Sequence, residues 1–143
     1  MHGWRLRDKT EMSMAGYPGK VKSFTWCGDA PYLTTSGSVE AICWPFDGKC
    51  GPMGRAPSTC AGGGSQQCTA VTGLVGYNGV FAGFADGCVL AGQISVKNDQ
   101  EDFVVKGSSG VPISTLAITQ QAWLFIGDEA GNVLWLRLGG DEE

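Results

Sequence analysis

Short apolar runs separated by glycine-bearing turns make up most of this chain, and no stretch shows a sustained 3.6-residue apolar period with a helix cap before it. This pattern is typical of β-strands joined by tight turns. Three runs share one arrangement of apolar and small residues: VKSFTW (21–26), CTAVTG (68–73) and ISTLAI (113–118). Their first residues are 47 and 45 positions apart, which indicates an internal repeat.

Two further runs follow each of these segments. The second runs are YLTTSG (32–37), VFAGFADG (80–87) and WLFIGDEAG (123–131), and the third runs are SVEAICW (38–44), CVLAGQI (88–94) and NVLWLRL (132–138). A weaker fourth run closes two of the units, at RAPSTCA (55–61) and DFVVKG (102–107). Three units of roughly 45 residues, each of about four short strands, predict the blades of an all-β propeller. A sandwich or a barrel is the alternative.

The composition agrees with a single all-β domain. The chain has 143 residues and 23 glycines, which suit many tight turns and closely packed sheets. A net charge of −4 gives no basic surface for nucleic acid. We find no run long enough to span a membrane and no signal-peptide core at the N-terminus, so we expect a cytoplasmic protein.

The six cysteines show no CxxC pair and no set of histidine partners. We therefore interpret them as reduced, mostly buried thiols, and we expect neither a metal site nor a cofactor. A disulfide between Cys50 and Cys60 stays open as an alternative.

The residues available for catalysis are few. His2 is the single histidine, and Asp86, Asp128 and Glu129 lie at or beside hairpin turns, where turn geometry favours aspartate. The glycine-rich AGGGSQQ (61–67) lacks the Lys-Ser/Thr of a phosphate-binding loop. We therefore expect a protein that is not an enzyme.

One loop, DGKCGPMGRAP (47–57), has the character of a binding loop. Its glycines and prolines make it rigid, and Met53 and Arg55 would place an apolar group beside a cation. Methionine and arginine are enriched at protein interfaces, so these two residues are candidates for partner binding. A plain connection between the third and fourth strands of a blade explains the loop equally simply.

The chain resembles bacterial WD-repeat β-propeller proteins over nearly all of residues 17–138. The resemblance rests on GKVKSFTWCGDAPYLTTSG (19–37), VEAICWPF (39–46) and GKCGPMGRAP (48–57), and on the GFADG turn (83–87) of the next unit. It implies protein–protein interaction through the faces of the propeller, without a known substrate.

The departures from the family pattern concern its conserved polar residues. No third run ends in Trp-Asp, because Trp44 is followed by Pro45, Ile94 by Ser95 and Leu138 by Gly139. The Gly-His dipeptide at the entry to each blade is also absent. The buried Asp-His-Ser-Trp network of the family is therefore unavailable, and we expect packing to stabilise the blades.

The number of blades predicts self-association. Residues 17–61 and 62–107 form two complete blades, residues 108–143 form a third blade without its fourth strand, and residues 1–16 form a spare fourth strand. Three blades cannot close a ring. We expect a homodimer with six blades, in which the N-terminal strand of each chain completes the last blade of the other. The residues predicted for this strand are Thr10, Glu11, Met12, Ser13 and Met14.

Two alternatives stay open at this stage. The chain could be a piece of a longer propeller, whose other blades would then be its partner. The function predicted from the sequence is that of a non-enzymatic interaction or scaffold module that binds itself and a further protein on a propeller face. The alternative is a ligand-binding or hydrolytic propeller with a site in the central channel.

Overall fold

The computed structural model describes residues 1–48, 51–62, 64–94 and 102–138, which form an all-β fold with thirteen strands. Within these ranges no helix is long and apolar enough to cross a membrane. The strands are β1 (His2–Arg5), β2 (Thr10–Ser13), β3 (Phe24–Cys27), β4 (Tyr32–Thr35), β5 (Glu40–Pro45), β6 (Ser58–Gly62), β7 (Cys68–Gly73), β8 (Gly79–Phe84), β9 (Val89–Gln93), β10 (Phe103–Lys106), β11 (Ile113–Ile118), β12 (Trp123–Asp128) and β13 (Val133–Arg137).

These strands form four antiparallel sheets in which neighbours in the chain are neighbours in space. We call β1–β2 the N-terminal hairpin, β3–β6 the first sheet, β7–β10 the second sheet and β11–β13 the third sheet. The runs predicted at 68–73 and 113–118 coincide with β7 and β11. The run at 21–26 becomes a strand only from Phe24, because the Ser36 hydroxyl binds the amides of Lys22 and Ser23.

The first, second and third sheets are stacked in the order of the chain, with their first strands β3, β7 and β11 beside one another. In each sheet we call the side that points in the direction from the first sheet to the third the forward face, and the opposite side the rear face. Strand pairing is equivalent in all three sheets, since Phe24 pairs with Thr35, Val71 with Ala82 and Leu116 with Ile126. All six of these side chains lie on rear faces.

The two interfaces between the stacked sheets differ in their side chains. Small residues and thiols dominate the interface between the first and second sheets, where the buried residues include Cys27, Ala41, Cys43, Cys60, Cys68, Val71, Val80 and Ala82. Branched side chains dominate the other interface, where Ile113, Leu116, Leu124 and Ile126 of the third sheet pack against Ala70 and Val89 of the second. The core thus consists of two layers between three sheets.

A close approach of two sheets requires glycine at position 83. A Cβ atom built on Gly83 in β8 would lie 2.5 Å from Cγ2 of Ile113 in the third sheet. Real Cβ atoms do not come so close to another carbon, so a side chain here would push the sheets apart. Four residues on, Gly87 (φ 90°) supplies the left-handed conformation that the turn between β8 and β9 requires.

The N-terminal segment differs from the predicted single strand. Residues 10–13 form β2, but β2 pairs with β1 of the same chain, from His2 opposite Ser13 to Arg5 opposite Thr10. The turn between them is stabilised by Asp8, whose carboxylate accepts hydrogen bonds from Arg5 and from the amide and hydroxyl of Thr10. The sequence prediction had treated this segment only as a spare fourth strand.

Candidate interaction surfaces

The forward face of the third sheet carries a group of exposed apolar side chains, Trp123, Phe125, Val133 and Trp135, which we call the aromatic face. Phe125 pairs with Trp135 across β12 and β13, and their ring centroids are 6.4 Å apart. Trp135 is 59% exposed. Exposed aromatic groups of this kind on a sheet are typical of surfaces that bind another protein.

The second sheet has Phe, Gly and Val in the same register on its forward face, with alanine in place of Trp135. There Phe81 pairs with Ala91 and Gly83 with Val89, as Phe125 pairs with Trp135 and Gly127 with Val133 in the third sheet. In the second sheet this surface is covered by the third sheet, and Val89 is 0% exposed. Val133, at the equivalent position, is 62% exposed. The aromatic face is therefore a sheet-packing surface without a sheet packed on it among the described residues.

The rear face of the first sheet is the second surface of this kind. Phe24 and Trp26 in β3 are exposed. Val71 and Leu116, which are the equivalents of Phe24 in the other two sheets, are buried. The outer part of this rear face is covered by Tyr17, whose hydroxyl lies 2.7 Å from Thr35 Oγ1 and accepts a hydrogen bond from Trp44 Nε1 at 2.6 Å. No sequence pattern marks Tyr17 for this position, because its partners Thr35 and Trp44 lie 18 and 27 residues away.

A cleft of about 600 Å³ lies between the N-terminal hairpin and the first sheet. Trp26 and Phe46 form one wall, with their rings edge to face and their centroids 5.0 Å apart. The other residues that line it include Trp4, Arg5, Thr10, Glu11, Met12 and Met53. The hairpin therefore lies beside the end of β3 that carries Trp26 and next to the 47–57 loop.

The two residues predicted in the 47–57 loop have different environments. Met53 is exposed and lines the cleft with Met12, so the structure brings together two groups of predicted site residues. Arg55 is turned to Asp47, which accepts a hydrogen bond from Nη1 at 2.5 Å. This contact holds the pKa of Asp47 below its usual value. Arg55 thus ties the two ends of the loop together. Lys49 and Cys50 of the loop lie outside the described residues.

The predicted exchange strand is held in its own chain by several contacts. Glu11 bonds the ring of His2 at 2.7 Å, and Met12 packs beside Gly51 of the 47–57 loop. Ser13 pairs with His2, while Met14 is buried and exchanges two main-chain hydrogen bonds with Met1. On its other side β2 has no strand neighbour among the described residues. This is one of the two free edges of the hairpin, since the outer side of β1 is open as well in the described ranges, and another chain could extend either.

The acidic residues near the turns act as hydrogen-bond acceptors. Ser108 donates to Asp86 at 2.7 Å, and Asn132 donates to Asp128, which lowers the pKa of each carboxyl. A general acid at neutral pH needs a raised pKa instead. No group of three or more His, Cys, Asp or Glu side chains within the described ranges is placed to hold a metal ion.

The buried thiols form a row between the first and second sheets. Cys60 lies 3.6 Å from Cys43 sulfur to sulfur, and Thr34 bonds both Cys27 and Cys43. The hydrogen bond with Cys43 raises the pKa of Cys60, and burial raises the pKa of Cys27 to about 11. The proposed partner of Cys60 in a disulfide, Cys50, lies outside the described residues.

These thiols should resist modification in the folded protein. Burial raises the pKa of Cys68 to about 12, so at pH 8 it is protonated as well as inaccessible. We expect an aromatic disulfide reagent to modify Cys27, Cys60 and Cys68 only after unfolding in guanidinium chloride, as mapped by mass spectrometry. Modification of Cys68 within minutes in buffer would contradict this packing.

Comparison with known proteins adds no family assignment. No protein-family model matches this chain, and the curated proteins contain no significant match to it. The resemblance to WD-repeat propellers therefore stays a prediction from the sequence.

Proposed function

We propose that this chain is a non-enzymatic protein-interaction module of the β-propeller type, whose first partner is a second copy of itself. The observation that carries the proposal is the aromatic face, which repeats the Phe-Gly-Val register of a surface that is buried in the second sheet. Because both surfaces are built by the same repeat, we expect the aromatic face to pack against the rear face of another sheet.

The first sheet provides such a rear face at the opposite end of the stack. Phe24 and Trp26 are its exposed residues, in the positions that Leu116 and Ile118 occupy where the third sheet covers the second. A twofold axis would bring the third sheet of each chain against the first sheet of the other. The assembly would then contain three large sheets from each chain, six in all, as in the ring predicted from the sequence.

The position of the hairpin supports the same arrangement. It lies beside Trp26 on the first sheet's rear face, on which the second copy's third sheet would dock with β13 as its outermost strand. Both β13 and β2 have a free edge among the described strands. Joining two free edges adds main-chain hydrogen bonds and removes sites of non-specific strand pairing. In this form of exchange β2 pairs with the second copy's β13 and stays paired with β1.

The mass of the protein in solution tests the proposal. We expect size-exclusion chromatography with light scattering to give twice the chain mass of 15.0 kDa, at concentrations from micromolar upward. A folded, monodisperse species of one chain mass would overturn both the dimer and the self-binding function.

Removal of residues 1–13 tests the role of the hairpin. The deletion keeps Tyr17, which bonds the first sheet, but it uncovers Trp26 and Phe46 and removes the strand edge offered to β13. We expect aggregation in place of the dimer, because an apolar face and a free strand edge are left open together. A soluble dimer of the shortened chain, with the same affinity as the full chain, would contradict closure by the hairpin.

A further inference from the structure

We infer that Ser114 and Thr115 of β11 are the residues that fix the docking position of the second copy, by bonding the main chain of its first sheet near Val21 and Phe24. This inference rests on the proposed function. These polar contacts would set the register of an interface that otherwise consists of apolar side chains.

Side-chain hydroxyls form hydrogen bonds between the stacked sheets. Between the second and third sheets, the hydroxyl of Thr69 lies 2.5 Å from the carbonyl oxygen of Ile113 and 3.3 Å from that of Gly83. Between the first and second sheets, the hydroxyl of Ser23 donates to the carbonyl of Val71 and accepts from its amide, at 3.3 and 3.2 Å. Each sheet thus uses a hydroxyl on its first strand, or just before it, to bond the first strand of the next.

The third sheet carries both kinds of hydroxyl. Counted along the repeat, Ser114 stands at the position of Thr69, and Thr115 at the position of Ser23. Ser114 and Thr69 also lie in equivalent β-bulges, where the pairing register shifts between Ile113 and Thr115 and between Cys68 and Ala70. A bulge turns its extra residue out of the ladder, which directs both hydroxyls toward the forward face.

The hydroxyl at each bulge contacts a carbonyl of its own sheet, but only that of Thr69 also contacts the next sheet. Ser114 donates to the carbonyl of Gly127 at 3.2 Å, as Thr69 contacts the equivalent Gly83. Thr69 is buried and has Ile113 as its second contact, whereas Ser114 and Thr115 are both exposed. The hydroxyls of Ser114 and Thr115 are therefore positioned to bond a further sheet, and no sheet of the described residues covers them.

The acceptors that match them lie on the first sheet. The carbonyls at the heads of the second and third sheets both accept a bond from the preceding sheet, Cys68 from the amide of Gly37 and Ile113 from Thr69. Val21 is the equivalent residue of the first sheet, and its carbonyl accepts no hydrogen bond from the described residues. Phe24 is the equivalent of Val71, on an edge strand whose inner side is likewise open.

The register that follows is specific. The hydroxyl proton of Ser114, which the single chain directs to Gly127, would turn to the carbonyl of Val21 of the second copy, as the hydroxyl of Thr69 lies nearer to Ile113 than to Gly83. Thr115 would bond the main chain of Phe24. The same docking places the aromatic face over Phe24 and Trp26 of the second copy. Apolar contact alone would tolerate a shift along the strand, whereas two hydroxyls that bond main-chain groups of one edge strand would not.

Association measured by sedimentation equilibrium tests the inference with Ser114→Ala, Thr115→Val and the double variant. Valine keeps the shape of Thr115, whose methyl group packs beside Gly127. A twofold dimer contains each substitution twice, so Ser114→Ala removes two hydrogen bonds and Thr115→Val removes four, if Thr115 bonds Phe24 as Ser23 bonds Val71. We expect at least about tenfold weaker association for each single variant and at least about a hundredfold for the double. Ser114→Thr, which copies Thr69, should dimerise at least as tightly as the wild type.

Two further measurements separate this inference from the proposal beneath it. A control double variant, Ser58→Ala with Ser108→Ala, removes two hydroxyls away from the aromatic face and should leave association unchanged. Hydrogen exchange by NMR should show a protected Phe24 amide in the dimer, with the protection lost in Thr115→Val at concentrations where it is still dimeric. A wild-type monomer would overturn the proposed function and this inference with it. A wild-type dimer in which the double variant binds within twofold of the wild type would overturn the inference alone.

Discussion

Trp135→Glu should convert the proposed dimer to a folded monomer. In the single chain Trp135 is 59% exposed, so a carboxylate at this position replaces an aromatic ring that already faces water. In the dimer the same carboxylate would lie between two sheets, where its removal from water opposes association. We expect association to weaken at least about a hundredfold, because the twofold axis buries two such charges.

A matched control is available on another exposed aromatic residue. Tyr77, which follows β7 in the turn to β8, is 63% exposed and lies on neither of the two proposed contact faces. Tyr77→Glu introduces the same charge and should dimerise like the wild type. Thermal unfolding measured at low concentration should show that the fold of the Trp135→Glu chain is intact. A dimer of unchanged affinity in Trp135→Glu would exclude the aromatic face from the interface.

The two ends of the stack explain why this test is informative. The aromatic face and the Phe24–Trp26 surface are the two halves of one repeated contact, and each is left open in the single chain. An apolar ligand that bound the aromatic face would be insensitive to changes at Trp26, which lies at the opposite end. Self-association predicts instead that Trp26→Glu weakens the dimer as Trp135→Glu does.

The sequence predicted the strands because each run is short, apolar and bounded by turn residues. The runs at 68–73 and 113–118 coincide with β7 and β11, and the Asp86–Gly87 turn joins β8 to β9. The all-β fold could therefore be predicted from local pattern alone. The pairing order within each sheet also followed, because consecutive strands usually lie next to each other in a sheet.

The N-terminal segment could not be predicted in the same way. The sequence predicts residues 1–16 as one spare fourth strand, whereas residues 2–5 and 10–13 form the two strands of a hairpin. The turn that makes them a hairpin depends on Asp8, which accepts hydrogen bonds from Arg5 and Thr10. Such a network of exposed polar side chains leaves no apolar period in the sequence.

The aromatic face was hidden for a related reason. NVLWLRL (132–138) is apolar at alternate and at intervening positions, which indicates a strand covered on both sides. On the rear face of the third sheet the structure buries Leu124 but leaves Leu134 exposed, and on the forward face it leaves Trp135 exposed. Sequence alone predicts that a face is apolar, but the identity of the surface that covers it depends on the other sheets.

Gly83→Ala should destabilise the folded chain more than its size suggests. The new Cβ would lie 2.5 Å from Cγ2 and 2.7 Å from Cβ of Ile113, which is itself 0% exposed and held by the packing of the third sheet. The second and third sheets would have to separate locally, and overpacking of this kind costs about 1–3 kcal/mol. We expect the free energy of unfolding, measured by urea denaturation of the Trp135→Glu monomer background, to fall by about 2 kcal/mol.

Gly79→Ala is the matched control for this prediction, since it lies on the same strand, β8. A Cβ at Gly79 would meet nothing within 4 Å, so alanine there should be neutral or stabilise by about 0.5 kcal/mol through the lower entropy of the unfolded chain. Equal effects of the two substitutions would mean that the strand resists any side chain, and would contradict the close contact between the sheets. A loss of stability in Gly83→Ala alone would show that the new Cβ atom clashes with Ile113. It would support the packing of sheet on sheet from which we infer that a second copy packs on the aromatic face.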